Sequence, residues 1–206
     1  MKKKLGLLTL LSLMSLAGFS QTIVGSAHDF SSQTWNTSVG GQICIVCHTP
    51  HNANTSVLDA PLWNHATTAS TFQVYTSSSL NATVGQPDAS SKLCLSCHDG
   101  TVALENFGSM STGTHFISNT NNIASNLTND HPVSFTYDAA LVAADPGLRN
   151  PTVALSGLGG TIAANMLKGG KLQCASCHNV HNTSGQASLL VKANTASALC
   201  LTCHAK

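Results

Sequence analysis

Four times the chain repeats Cys-x-x-Cys-His: CIVCH at 44–48, CLSCH at 94–98, CASCH at 174–178 and CLTCH at 200–204. All eight cysteines fall in these pairs. This constrains the fold more than any other feature, because every thiol is committed at a fixed two-residue gap beside a histidine. Disulfides, common in exported proteins, would not need a histidine after each pair. Zinc accepts thiolates at this spacing, but four pairs with four fused histidines oversupply tetrahedral ligands.

Covalent attachment of c-type haem accounts for each position. Cys44 and Cys47, Cys94 and Cys97, Cys174 and Cys177, and Cys200 and Cys203 can each add across the two vinyl groups of one porphyrin edge. The residue that follows, His48, His98, His178 or His204, then lies over the iron as proximal ligand. Four haems are expected. They also answer a problem of composition, since aromatics make up 5% of the chain and charged residues 8%, against about a quarter charged in ordinary domains. Such a chain struggles to build a packed core alone. The expected fold class is a multihaem cytochrome c, mostly coil with short helices and minimal strand, its interior supplied by the haems.

The N-terminus, MKKKLGLLTLLSLMSLAGFS, has the charged, apolar and small-residue regions of a secretory signal peptide. Cleavage after residue 20 would leave a mature domain over 21–206. The apolar run is too short for a membrane span, and no later segment is apolar enough. Export agrees with c-type haem, which is attached outside the cytoplasm. Past residue 20, six lysines and arginines face eight acids, and two propionates per haem lower the formal charge toward about −10, which argues against nucleic acid as a partner.

Four proximal histidines leave His28, His51, His65, His115, His131 and His181. His51 follows His48 by three residues, and His181 follows His178 likewise. Residues so spaced on a helical turn lie on one side and cannot grip one iron from opposite faces. His51 and His181 are therefore expected either to reach the iron of a neighbouring haem or to hydrogen-bond propionates. His131 precedes a proline, which favours extended backbone, and VSFTY after it alternates like a short strand; it is a candidate distal ligand. His65 is a spare candidate, ahead of His115, which lies in a Ser/Thr/Asn-rich stretch over 109–129 that reads as loop.

An internal repeat is visible: CIVCHTPHN matches CASCHNVHN, and SKLCLSCH matches SALCLTCH. The chain divides into a two-haem unit over about 28–105, an insert over 106–170 and a second two-haem unit over about 171–206. The insert carries the short strand and AALVAADPGL, expected to be helical. LKGGKLQ reads as a turn entering the third motif.

CIVCHTPHNA, APLWNH, SSKLCLSCHDGTVAL, DHPVSFTYD and CASCHNVHN together resemble the doubled Cys-x-x-Cys-His multihaem cytochromes. The similarity is greatest to the OmcE-type tetrahaem members that metal-reducing bacteria export and assemble into extracellular filaments. The resemblance implies bis-histidine, low-potential haems in a continuous stack. It also implies His28 as a distal ligand beside His51, His131 and His181, and it lowers His65, where relatives often carry arginine. A histidine on the short N-terminal arm, His28, is expected to ligate a haem of the next subunit.

The expected function is electron transfer along the haem chain without substrate chemistry, in an extracellular or cell-surface homopolymer that exchanges electrons with redox partner proteins or extracellular acceptors. A soluble periplasmic shuttle is the alternative. A haem-based reductase is disfavoured because the distal histidines suffice to close all four irons, and no cluster of Arg, Lys and Tyr suggests an anion pocket.

Overall fold

The computed structural model describes residues 23–205; the expected signal peptide lies outside them. Coil and turn dominate. The regular elements are short: α1 (Ala89–His98), β1 (Phe135–Thr136), α2 (Ala139–Ala144), α3 (Ile162–Asn165), β2 (Lys171–Leu172), α4 (Cys174–Cys177) and α5 (Cys200–Cys203). Short 3₁₀ segments occur at Thr34–Val39 and Cys44–Val46, among others. Among the described residues no helix is long and apolar enough to cross a membrane.

The insert behaves as its sequence suggests. Asp138 caps α2 by accepting from the Leu141 amide at 2.9 Å, and Asp145, outside the helix, precedes Pro146, which cannot continue a helix. β1 pairs antiparallel with β2, Phe135 opposite Leu172 and Thr136 opposite Lys171. The strands are brief because Gly169 and Gly170 turn the chain with positive φ (57° and 75°) immediately before β2.

The polypeptide supplies more interior of its own than its composition suggests. Phe135, Tyr137, Leu141, Ile162, Met166, Leu167, Leu172 and Leu199 form one buried cluster, and Phe72, Leu95 and Leu127 a smaller one. Most of the large cluster comes from the insert, so that segment is the wedge on which the third and fourth motifs rest. Met166 is 2% exposed within it and is a core side chain.

The N-terminal arm is docked. Phe30 and Trp35 have ring centres 5.5 Å apart, and Trp35 lies 6.4 Å from Phe107. Buried Asn36 donates to the carbonyls of Phe30 (2.9 Å) and Gln42 (3.2 Å). These contacts tie the arm to the loop that follows the second motif.

Candidate functional site

Each Cys-x-x-Cys pair sits on a helical turn, which brings the thiols at i and i+3 to one side. In three of the motifs the histidine amide closes the turn on the leading cysteine's carbonyl: His48 to Cys44 at 2.8 Å, His178 to Cys174 and His204 to Cys200 at 3.0 Å. The second motif instead ends a longer helix, α1.

A backbone frame then fixes three of these histidines. His48 bridges antiparallel to Trp63, His178 to Leu190 and His204 to Leu148. In the first motif Thr49 N–H donates to Leu62 and Asn64 N–H to Cys47 (both 2.9 Å). In the third, Asn179 donates to Leu189 (2.7 Å) and Val191 to Cys177 (2.9 Å); in the fourth, Ala205 donates to Gly147 (2.8 Å) and Arg149 to Cys203 (2.7 Å). Asn52 and Asn182, each one residue after the second histidine of CHxxHN, share positive φ (56° and 51°), and so do Leu62 and Leu189 (both 55°). The internal repeat is thus also a repeat of backbone conformation. Leucine in this region is strained, and here it turns the bridging strand back against the motif.

The imidazoles are oriented in turn. Nδ1 of His48 faces the Pro61 carbonyl (2.6 Å), that of His98 the Asn121 carbonyl (2.8 Å) and that of His178 the Ser188 carbonyl (2.9 Å). His131 Nδ1 likewise faces the Pro132 carbonyl at 2.9 Å. A backbone acceptor at Nδ1 selects the tautomer that leaves the Nε2 lone pair for a metal, the usual support of a ligating histidine.

Tertiary structure brings three motif histidines to three others. Ring centres lie 6.0 Å apart for His28 and His98, 6.1 Å for His48 and His181, and 6.4 Å for His131 and His204. With a metal–imidazole bond of about 2 Å and the ring centre about 1 Å behind the nitrogen, two imidazoles on opposite sides of one metal stand about 6 Å apart. Aromatic pairs in general cover that distance, but here each pair couples a motif histidine to a residue distant in sequence.

Two further observations fit a haem. His131, His204 and Cys203 line one cleft with Phe135, Leu141 and Leu172, so a motif cysteine and both imidazoles of this pair open onto the same largely apolar space. One ring nitrogen of His28, Nδ1, is buried without a hydrogen-bond partner, and burial followed by repulsion from His98 lowers that histidine's pKa to about 4. The neutral imidazole so favoured is the ligating form.

The other candidates are placed differently. His51 is exposed, and among the described residues no ring contact joins it to His178. His65 is 2% exposed, with Nδ1 against the Ala66 carbonyl (2.8 Å) and Nε2 against the Ala103 carbonyl (3.0 Å). Both nitrogens therefore face acceptors rather than a metal, and His65 is a core histidine, its pKa lowered by burial. His115 pairs with Glu105 at 2.7 Å, holding a loop. Met110 is 48% exposed.

The thiols differ in character. Burial raises Cys47 and Cys177 to about 11 and Cys97 to about 12. The two leading thiols Cys94 and Cys174 influence each other: the neighbouring Cys94 thiol lowers Cys174, while Cys174 and burial raise Cys94 well above the usual range. Sequence reasoning missed the bridging segments around Trp63, Leu148 and Leu190, which carry no motif, and a buried polar cluster around Gln173.

Residues 166–206 match the family of the doubled CXXCH motif. No curated protein matches the chain. The matched segment holds the third and fourth motifs, and a paired CXXCH motif implies covalently attached c-type haem in an electron-transfer cytochrome. Mostly coil, with short helices and one two-stranded sheet, the chain has the fold class of a multihaem cytochrome c.

Proposed function

We propose that the chain is an exported tetrahaem c-type cytochrome that carries electrons along closely packed bis-histidine haems, as a subunit of an extracellular conductive filament. The observation that supports this best is the approach of three motif histidines to three others at 6.0, 6.1 and 6.4 Å. On this reading His28 and His98 share one iron, His48 and His181 a second, and His131 and His204 a third. Haem held there supplies one-electron exchange at its iron.

The chain's own residues attach, orient and enclose. The cysteine pairs anchor one edge of each ring. The carbonyls of Pro61, Asn121 and Ser188 fix the motif imidazoles and raise their basicity. Where two of these histidines held one iron, no coordination position would be left for a substrate, which favours electron transfer over reductase chemistry.

His178 and His51 remain. We read them as half-sites that meet between copies, His51 of one subunit closing the iron held by His178 of the next. Such a head-to-tail contact propagates as a filament when its rotation does not close a ring. The inter-subunit role thereby passes from His28, whose ring faces His98 of its own chain, to His51. Electrons would leave to redox partners or extracellular acceptors.

Purified native protein should weigh four haems more than its polypeptide and should not bind carbon monoxide when reduced. A bare polypeptide mass, or a high-spin iron in the native assembly, would overturn the proposal. Size-exclusion chromatography separates the filament from the alternative, a soluble periplasmic shuttle in which His51 closes His178 of its own chain.

A further inference from the structure

Behind the second and third motifs lies a buried polar cluster that holds no iron ligand. Gln173, 1% exposed, directly precedes Cys174, and every polar atom of its side chain is engaged. Its Oε1 accepts from the hydroxyls of Ser91 (2.5 Å) and Ser134 (3.0 Å), and its Nε2 donates to Asp88 Oδ1 at 2.7 Å. Lys171 holds the other oxygen of the same carboxylate.

The cluster ties three segments together. Asp88 immediately precedes α1, which carries the second motif, and Ser91 lies in its first turn. Ser134 stands between His131 and β1, and its hydroxyl also accepts from the Asp88 amide at 3.0 Å. Gln173 opens α4, which carries the third motif.

The register between the two motifs follows from this arrangement. Ser91 Oγ accepts from the Cys174 amide at 3.0 Å, so the leading cysteine of the third motif is bonded directly to α1. Ser91 and Cys94 are three residues apart on one helix and so share a face. The contact that fixes the Cys174 backbone therefore lies one turn below the Cys94 thiol. A buried hydroxyl cannot leave its acceptor without losing a hydrogen bond that no water replaces. Hence the separation of the two attachment edges is set by side chains outside both motifs.

We infer that Gln173 is a positioning residue for electron transfer: through Ser91, Asp88 and Ser134 it fixes the spacing and angle between the haems of the second and third motifs. This rests on the reading that both motifs carry haem. Electron exchange falls steeply with edge separation, so a small shift here would act on the transfer step while leaving attachment and iron ligation intact.

The test compares native holoprotein with Gln173→Met, which keeps the length and removes every side-chain hydrogen bond. Haem content is read by mass, and coupling between haems by the exciton couplet of the Soret circular dichroism and by the heterogeneity of the redox titration. The expected result is unchanged haem mass with a reduced couplet. Gln173→Glu places a carboxylate against Asp88 and should reduce the couplet as well. Adding Asp88→Asn restores one donor–acceptor pair and should recover it, which a loss of volume alone would not do. Should Gln173→Met fail to accumulate, Ser91→Ala decides, with a smaller loss expected. An unchanged couplet in these variants overturns the inference. Native protein lacking haem at either motif overturns instead the functional reading on which it rests.

Discussion

His181 lies with its ring centre 6.1 Å from that of His48 and its plane within 11° of parallel, although the two belong to the third and first motifs. His181 is fixed only three residues beyond His178, and its amide donates to Asn179 Oδ1 at 3.0 Å. One short segment thus offers imidazoles in two directions, one for its own motif and one for a neighbour's. Spacing alone left open whether His181 would reach a neighbouring iron or a propionate; the approach to His48 is what favours the iron.

Replacing His181, His131 or His28 by alanine should each convert one iron from low-spin to high-spin in the native assembly, visible by electron paramagnetic resonance. His65→Ala and His115→Ala should leave all irons low-spin, because neither ring is aimed at a motif histidine. A high-spin signal in His65→Ala would restore that residue as a ligand.

His51→Ala should abolish filaments and leave a subunit with one high-spin iron at the third motif. Electron microscopy and size-exclusion chromatography of the variant check this. Persistent filaments would show that the copies are joined by other contacts.

Trp35→Ala should loosen the arm that carries His28. Each aromatic pair contributes about 0.5–1.5 kcal/mol beyond burial, and Trp35 makes three, with Phe30, Phe107 and His115. Hydrogen exchange over 23–40 should speed up, and part of the His98 iron should become high-spin.

Ile162 is fully buried at the centre of the insert's cluster. Ile162→Ala should destabilise the protein by about 2–5 kcal/mol and Ile162→Val by about 0.5–1.5 kcal/mol, measured by denaturant unfolding followed at Tyr137. Haem mass should stay the same in the fraction that folds, since the cluster supports the motifs without contributing ligands.

Glu105 supplies a pH dependence. Burial would raise its carboxyl, but the amides of Thr114 and His115 and the His115 ring outweigh that and hold it below the usual value of 4.5. A carboxyl lowered in the folded state stabilises fully above its unfolded value and loses that contribution as pH falls through the folded one. Loop 105–115 should therefore loosen below about pH 4.5, as read by amide exchange, and Glu105→Gln should remove that dependence.

Much of the local structure was legible in the residues. The alanine-rich run AALVAADPGL announced α2, Gly169 and Gly170 the turn entering the third motif, and the alternation around Phe135 the strand. The CHxxHN repeat pointed to a repeated conformation, found as paired positive φ angles at Asn52 and Asn182. His65 could not be judged this way. Its neighbours gave no sign that the Ala66 and Ala103 carbonyls would face both nitrogens, the second from a segment far along the chain. Gln173 was equally silent, because a glutamine before a motif looks the same whether it meets solvent or a buried serine.

Sequence by itself determined the chemistry of attachment, since two thiols and an imidazole at fixed spacing are a local, covalent requirement that survives any path the chain takes. Only the tertiary structure decided which imidazoles face each other. Opposite sides of one metal must be reached from segments that the chain brings together through bridges at Trp63, Leu148 and Leu190, and backbone hydrogen bonds of that kind leave no mark on the identity of the residues that make them.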